Sequence, residues 1–250
     1  MYSVDLNCDL GESFGAYSIG MDEAMIPLIS SANIACGFHA GDPAVMHRTV
    51  RLCRQYGVAV GAHPGYPDLV GFGRRNMNVS PEQVADDLLY QIGALKAFCD
   101  LEGVPLRHVK PHGALYNQAA KDPALASAVC QVIRAIDPDL KLLAQGGTEM
   151  QAAALRAGIH FVCEAFADRA YQPNGLLVPR GTDGAMITDE NLAVSRVIRM
   201  IRDRKVLALD GTDTTVQADS VCVHGDNEKA LLFVRKIREA LLAENIHIHA

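Results

Sequence analysis

A short apolar run that ends in polar side chains and then gives way to a helix recurs along this chain. Few folds can use that unit repeatedly. The runs are SVDLNC (3–8), SANIAC (31–36), VAVGAH (58–63), RHVKP (107–111), LKLLA (140–144), HFVCE (160–164) and SVCVH (220–224). Helix signals stand between them. Asp42-Pro43 places an N-cap before a proline at the first helical position, with Val45, Thr49, Leu52 and Tyr56 at helical spacing and Gly57 as the stop. Ser80-Pro81-Glu82-Gln83 is a capping box that opens a helix with Val84, Leu88, Ile92, Leu95 and Cys99 on its buried face. Thr148-x-x-Gln151 caps another helix, Thr188 caps the next, and a last one runs to about residue 244.

Strands that alternate with helices form parallel sheets. A doubly wound sheet would gather its polar residues at one or two strand ends beside the switch point. Here every strand ends in them except the fifth, which offers only Gln145. That distribution predicts an α/β protein whose seven strands form a closed or nearly closed barrel, with a site on the carboxyl-terminal face. The Asp210-Gly211 turn within 206–215 predicts a small hairpin outside the main sheet. With no repeat, low-complexity tract or linker, residues 1–250 read as one domain.

Composition removes several classes of partner. A formal charge of −6 and the lack of a basic run argue against nucleic acid and anionic membrane. No apolar stretch approaches the roughly 18 residues that span a bilayer. The opening MYSVDLNCD carries acids where a signal peptide carries bases. The seven cysteines are odd in number, scattered and mostly inside apolar runs, as in reduced core residues of a cytoplasmic protein. No P-loop, dinucleotide fingerprint or G-x-S-x-G elbow is present, so neither of those nucleotide sites nor a serine hydrolase is supported.

The candidate chemistry sits at the strand ends. A period of two points Asp5, Asn7 and Asp9 to one side, with Glu12 just beyond. Crowded carboxylates suit metal binding or acid–base work, although Asp9 and Glu12 could simply cap a turn. His39, His63, His112 and His224 each follow a strand, and four such imidazoles are harder to assign to packing than one. His47, His108, His160, His247 and His249 read as surface or packing residues. A catalytic metal site usually has three protein ligands, for which Asp9, His39 and His63 are candidates, with His112 or Asp5 able to contribute. No local ligand motif fixes that choice. Lys110, inside a strand on the histidine side, could be a buried ammonium that holds a carboxylate or a developing oxyanion. Glu164, Asp168 and Arg169 are either site residues or an ion-pair brace, and Asp226 is either a site residue or an N-cap.

These same residues carry a resemblance. DLNCDLGESFG (5–15), SANIACGFHAGDP (31–43), GAHPGYPD (61–68), GFGRR (71–75), VKPHGALYN (109–117), EAFADRAY (164–171), LLVPR (176–180) and VHGDN (223–227) together resemble the LamB/YcsF family. The resemblance implies a (β/α)7 TIM-like barrel of the glycoside hydrolase/deacetylase type. It also implies opening of the lactam 5-oxo-L-proline (pyroglutamate) to L-glutamate with ATP hydrolysis, beside two further subunits, B and C. From their strand-end positions alone, Asp5, Asn7, Asp9, His63, Lys110 and His112 are the expected catalytic residues. Asn33, His39, Glu164, Asp168, Arg169, His224 and Asp226 are expected to surround the substrate. Asp5 or Asp9 with His63 or His112 would activate water, and Lys110 would hold the substrate carboxylate or a phosphorylated oxygen. A divalent metal, magnesium or zinc, remains open. Two rival readings also remain: a stand-alone metal-dependent deacetylase or amidohydrolase, and a component that only presents substrate.

Overall fold

The computed structural model describes residues 2–179, 181–223 and 228–250, so His224 and Asp226 lie outside the described residues. The first half of the chain runs β1 (Tyr2–Leu10), α1 (Asp22–Met25), β2 (Ser31–Ala35), α2 (Pro43–Tyr56), β3 (Ala59–His63), α3 (Pro81–Glu102), β4 (Leu106–Val109), α4 (Gly113–Ala119) and α5 (Pro123–Ile136). The second half runs β5 (Lys141–Gln145), α6 (Glu149–Ala157), β6 (Phe161–Phe166), α7 (Glu190–Asp203), β7 (Lys205–Leu207), β8 (Asp213–Thr215), β9 (Ser220–Val223), α8 (Glu228–Ala243) and β10 (Ile246–Ile248).

Strands β1 to β6 and then β9 pair in parallel, and β9 returns to β1 with Asp5 opposite Ser220 and Cys8 opposite Val223. The sheet is therefore a closed seven-stranded barrel, as the distribution of polar strand ends predicted. Strands β7 and β8 form the expected antiparallel hairpin outside it. Strand β10 was not foreseen. It lies parallel to the first residues of β1, with Tyr2 opposite Ile246, and covers the part of β1 that extends below β9.

Alternation along β1 sends Val4, Leu6, Cys8 and Leu10 outward into the apolar layer between barrel and helices. The buried stripe of α3 is the predicted one, and each fully buried Leu or Ile in it contributes about 1.5–3 kcal/mol. Gln91 interrupts that stripe for a reason. Its amide bonds both the N–H and the C=O of Gly65 at 2.9 Å, tying the loop after β3 to the helix beneath it.

The caps follow local chemistry, with two departures. Asp42 accepts from the N–H groups of Ala44 and Val45, and Ser80 accepts from that of Gln83. Thr148 occupies the N-cap of α6, but its hydroxyl turns back to the carbonyl of Gln145, while Gln151 accepts from Gly147 N–H. Helix α7 is capped by Asp189 rather than Thr188, because the carboxylate accepts from Leu192 N–H. Among the described residues no helix is long and apolar enough to cross a membrane.

Candidate active site

The interiors of such barrels are usually filled by branched apolar side chains. This one holds a column of hydrogen-bonded polar groups. At its base Asp5 accepts from the hydroxyl of Ser30 at 2.7 Å and from that of Ser220. One layer up, Asn7 donates to Ser220 Oγ at 2.7 Å. Its oxygen receives Asn33 Nδ2 at 2.8 Å and Lys110 Nζ at 3.2 Å. Asn33 gives its second amide hydrogen to Asp9 Oδ1, also at 2.8 Å.

Lys110 crowns the column. Its N–H extends the β3–β4 ladder to Ala62 O, which leaves the side chain pointing inward. The ammonium lies 2.8 Å from Asp9 Oδ1 and 2.7 Å from Glu164 Oε1, and the residue is 3% exposed. Burial alone would drive this amine towards neutrality, but Asp9, Cys222 and Glu164 outweigh it and hold Lys110 well above the usual lysine range. Burial raises the Glu164 carboxyl, against the pull of Lys110. Tyr116 donates to Glu164 Oε2 at 2.9 Å, and burial pushes that phenol well up.

Three imidazoles stand beside Asp9. His63 Nδ1 lies 2.7 Å from the carbonyl of Lys110 and His112 Nε2 lies 2.8 Å from that of Phe72. A carbonyl only accepts, so each ring donates there. The remaining nitrogens, His63 Nε2 and His112 Nδ1, face one another at 2.9 Å, and Asp9 Oδ2 is 3.3 Å from His63 Nε2. His39 stacks on His112 with centroids 3.7 Å apart and planes 2° from parallel. Burial, then the neighbouring rings, keeps His39 well below the usual histidine range; burial and then His63 take His112 down to about 3. Gly73 lets the covering loop approach: its φ is +61°, and a Cβ would lie 2.7 Å from His39 Cβ and 2.8 Å from His112 Cδ2.

Above these groups opens a cavity of about 780 Å³. Asp9, His63, Lys110, His112 and Arg169 line it, so residues from four separate strand ends do converge. Arg169 is braced by the carbonyl of Val178, 2.6 Å from Nη2. Asn7, Asn33, His39 and Glu164 support the lining residues without bordering the space themselves. Asp168 is not among the lining residues, and its carbonyl accepts from Ile187 N–H. Asp5 is also set apart: burial raises its carboxyl, and serines enclose it at the base of the column.

Three participants were left out of the expected site. Glu12, grouped with the acids of the first strand as suited to metal or acid–base work but given no role, lines the cavity. Tyr116 does too, at the third position after Gly113 and on the inner face of α4. His108, read as surface or packing, is buried and lies 2.6 Å from Asn33 Oδ1. Period-two alternation with Lys110 was the available signal for His108.

Glu12, His39, His63 and His112 place one ligand atom each within 4.8 Å of one another. The set fits a divalent cation on two observations. The inward nitrogens of His63 and His112 carry lone pairs whose opposite N–H groups are anchored on carbonyls, the usual support of a metal-binding imidazole. Among the described residues neither ring nitrogen of buried His39 has a hydrogen-bond partner, and Nε2 lies 3.7 Å from Glu12 Oε1.

The geometry defines a parallel α/β barrel whose carboxyl-terminal face joins a buried ammonium, carboxylates and imidazoles in one cavity. Residues 4–250 match the LamB/YcsF family, and the chain belongs to it. It is 59% identical over 248 residues to the A subunit of 5-oxoprolinase from Clostridium beijerinckii, covering 99% of this chain and 97% of that one. Against the corresponding 5-oxoprolinase component of Geobacillus kaustophilus the identity is 54% over 250 residues, covering 100% and 97%. The crystal structure of the lactam utilization protein from Thermus thermophilus superposes with a TM-score of 0.95 at 50% identity, covering 99% of both chains.

Proposed function

We propose that this chain is the lactam-opening component of an ATP-dependent 5-oxoprolinase, a cytoplasmic hydrolase that works with subunits B and C. One observation carries the reading: the Lys110 ammonium, held between Asp9 and Glu164, lies under a cavity that also presents the imidazoles of His63 and His112. The identity to relatives named as the A component of 5-oxoprolinase supports the substrate.

A lactam carbonyl is deactivated by resonance with its nitrogen, so transfer of the γ-phosphoryl group of ATP to the carbonyl oxygen, with loss of ADP, creates an electrophile. Water then adds to the ring carbon and gives its proton to an imidazole, His63 or His112, whose other nitrogen is held on a backbone carbonyl, and Asp9 stabilises the imidazolium so formed. The bond from that carbon to nitrogen breaks, and nitrogen leaves as an amine after taking up a proton. The acyl phosphate left behind is cleaved by a second water to glutamate and phosphate. Lys110 stabilises the negative charge that builds on oxygen. Arg169 provides a cation for the substrate carboxylate. A divalent ion held by Glu12, His39, His63 and His112 would supply Lewis acidity at the same place and, by taking the free lone pairs of both rings, would leave the Asp9 carboxylate as the base.

That cluster also favours a second reading, a metal-dependent amidohydrolase that needs no nucleotide. The discriminating experiment supplies 5-oxoproline and ATP to the chain alone and then with subunits B and C, and measures glutamate and ADP together. Equal amounts of both, only in the assembly, are expected. Glutamate formed by the chain alone with a divalent ion and without ATP would overturn the proposal in favour of the second reading.

A further inference from the structure

We infer that His108 is a positioning residue for the carboxylate of Asp9, acting through the side-chain amide of Asn33. The inference rests on the proposed role of Asp9 in the cavity. The direction of every bond in the link is determined. Asn33 commits both hydrogens of Nδ2, to Asn7 Oδ1 and to Asp9 Oδ1. Its oxygen is therefore the acceptor for His108, and the imidazole must bring its proton on Nε2. Burial keeps His108 neutral, its pKa pushed down to about 3, so the ring has a single N–H to give.

The backbone is shaped for this contact. His108 stands on β4 and Asn33 on β2, with β3 between them. The ring crosses over β3 at Gly61, where a Cβ would lie 2.0 Å from His108 Nε2. Any side chain there closes the path. The glycine serves this crossing, since no positive φ requires it.

Lys110 holds Asp9 by charge, but an ammonium has no plane and accepts several orientations of its partner. Asn33 is planar. With its oxygen anchored by His108, its N–H fixes which carboxylate oxygen is engaged and leaves Asp9 Oδ2 turned to His63. Removing the imidazole N–H leaves a buried acceptor without a donor. The amide can satisfy it only by turning, which withdraws its donor from Asp9.

The test compares H108F, which keeps a ring without the N–H, with H108Q, whose amide N–H replaces it. Nitrogen NMR of the wild-type chain should show His108 as the neutral Nε2–H tautomer. The Lys110 Nζ resonance should move in H108F and return towards the wild-type position in H108Q. In the assembly with subunits B and C, H108F should lower kcat by about ten- to a hundredfold with KM for 5-oxoproline nearly unchanged, and H108Q should recover most of it. An Nδ1–H tautomer in the wild type, or equal losses in the two variants, would overturn the inference. If H108F does not fold, the wild-type tautomer and the H108Q kinetics decide. A wild-type assembly that makes no glutamate would instead sink the functional proposal, while the resonances still judge the positioning role.

Discussion

His63 and His112 meet nitrogen to nitrogen at 2.9 Å, each having given its other nitrogen's hydrogen to a backbone carbonyl. Two neutral rings so arranged oppose their lone pairs, and only a cation between them, a proton or a metal ion, makes the contact attractive. Three imidazoles and a carboxylate suit a borderline transition ion better than magnesium, which prefers oxygen ligands. Calorimetric titration of metal-free protein with zinc alone should find one equivalent bound, and H112Q should lose it. Equal binding in both proteins would remove His112 from the ligand set.

Replacing Lys110 with Met should abolish turnover and also destabilise the fold. The substitution leaves Asp9 and Glu164 buried without their cation, a loss of about 3–5 kcal/mol for a broken buried pair. Adding Glu164→Gln should restore part of the urea midpoint but none of the activity. Recovery of both together would mean that Lys110 has only a structural task.

Asp5 and Asp9 share a face of β1 but should differ in consequence. Asp5→Asn disturbs the bonds to Ser30 and Ser220 and should cost about 1–3 kcal/mol of stability while turnover stays near wild type. Asp9→Asn should leave little turnover. A comparable loss of kcat in Asp5→Asn, with stability intact, would return Asp5 to the mechanism.

His108 also makes a signed prediction about pH. Its folded value, about 3, lies below the roughly 6.5 of an unfolded histidine. Between those values the unfolded chain binds the extra proton, so the contribution of a neutral His108 is fully present above pH ~6.5 and is lost as pH falls towards 3. Urea midpoints from pH 7 to 4.5 should therefore fall less steeply in H108Q than in the wild type. Parallel curves would show that His108 does not stay neutral in the folded protein.

The barrel was legible because its signal repeats: apolar run, polar end, helix cap. Lys110, His63 and His112 were legible for the same reason, each standing where a parallel strand delivers side chains to the carboxyl-terminal face. Height within the barrel was harder to read. Asp5 and Asp9 have the same parity, but four residues of strand separate them by about 13 Å, enough to move one from the cavity to the base of the column. Glu12 lies beyond the strand, where no periodicity says which way a side chain turns. His224 and Asp226, expected beside the substrate, lie outside the described residues. Strand β10 was hidden by brevity, since Ile246–Ile248 gains its partner only from the overhang of β1.

An aliphatic interior tolerates the loss of a methylene with some resettling of neighbours. The amide column from Asp5 to Lys110 has no such tolerance, because each group is oriented by the one before it. Exchanging one member reverses a dipole that its neighbours were built to match. Anyone re-engineering this barrel for another ring must therefore redraw Asn7, Asn33 and Ser220 together, as a single word rather than as separate letters.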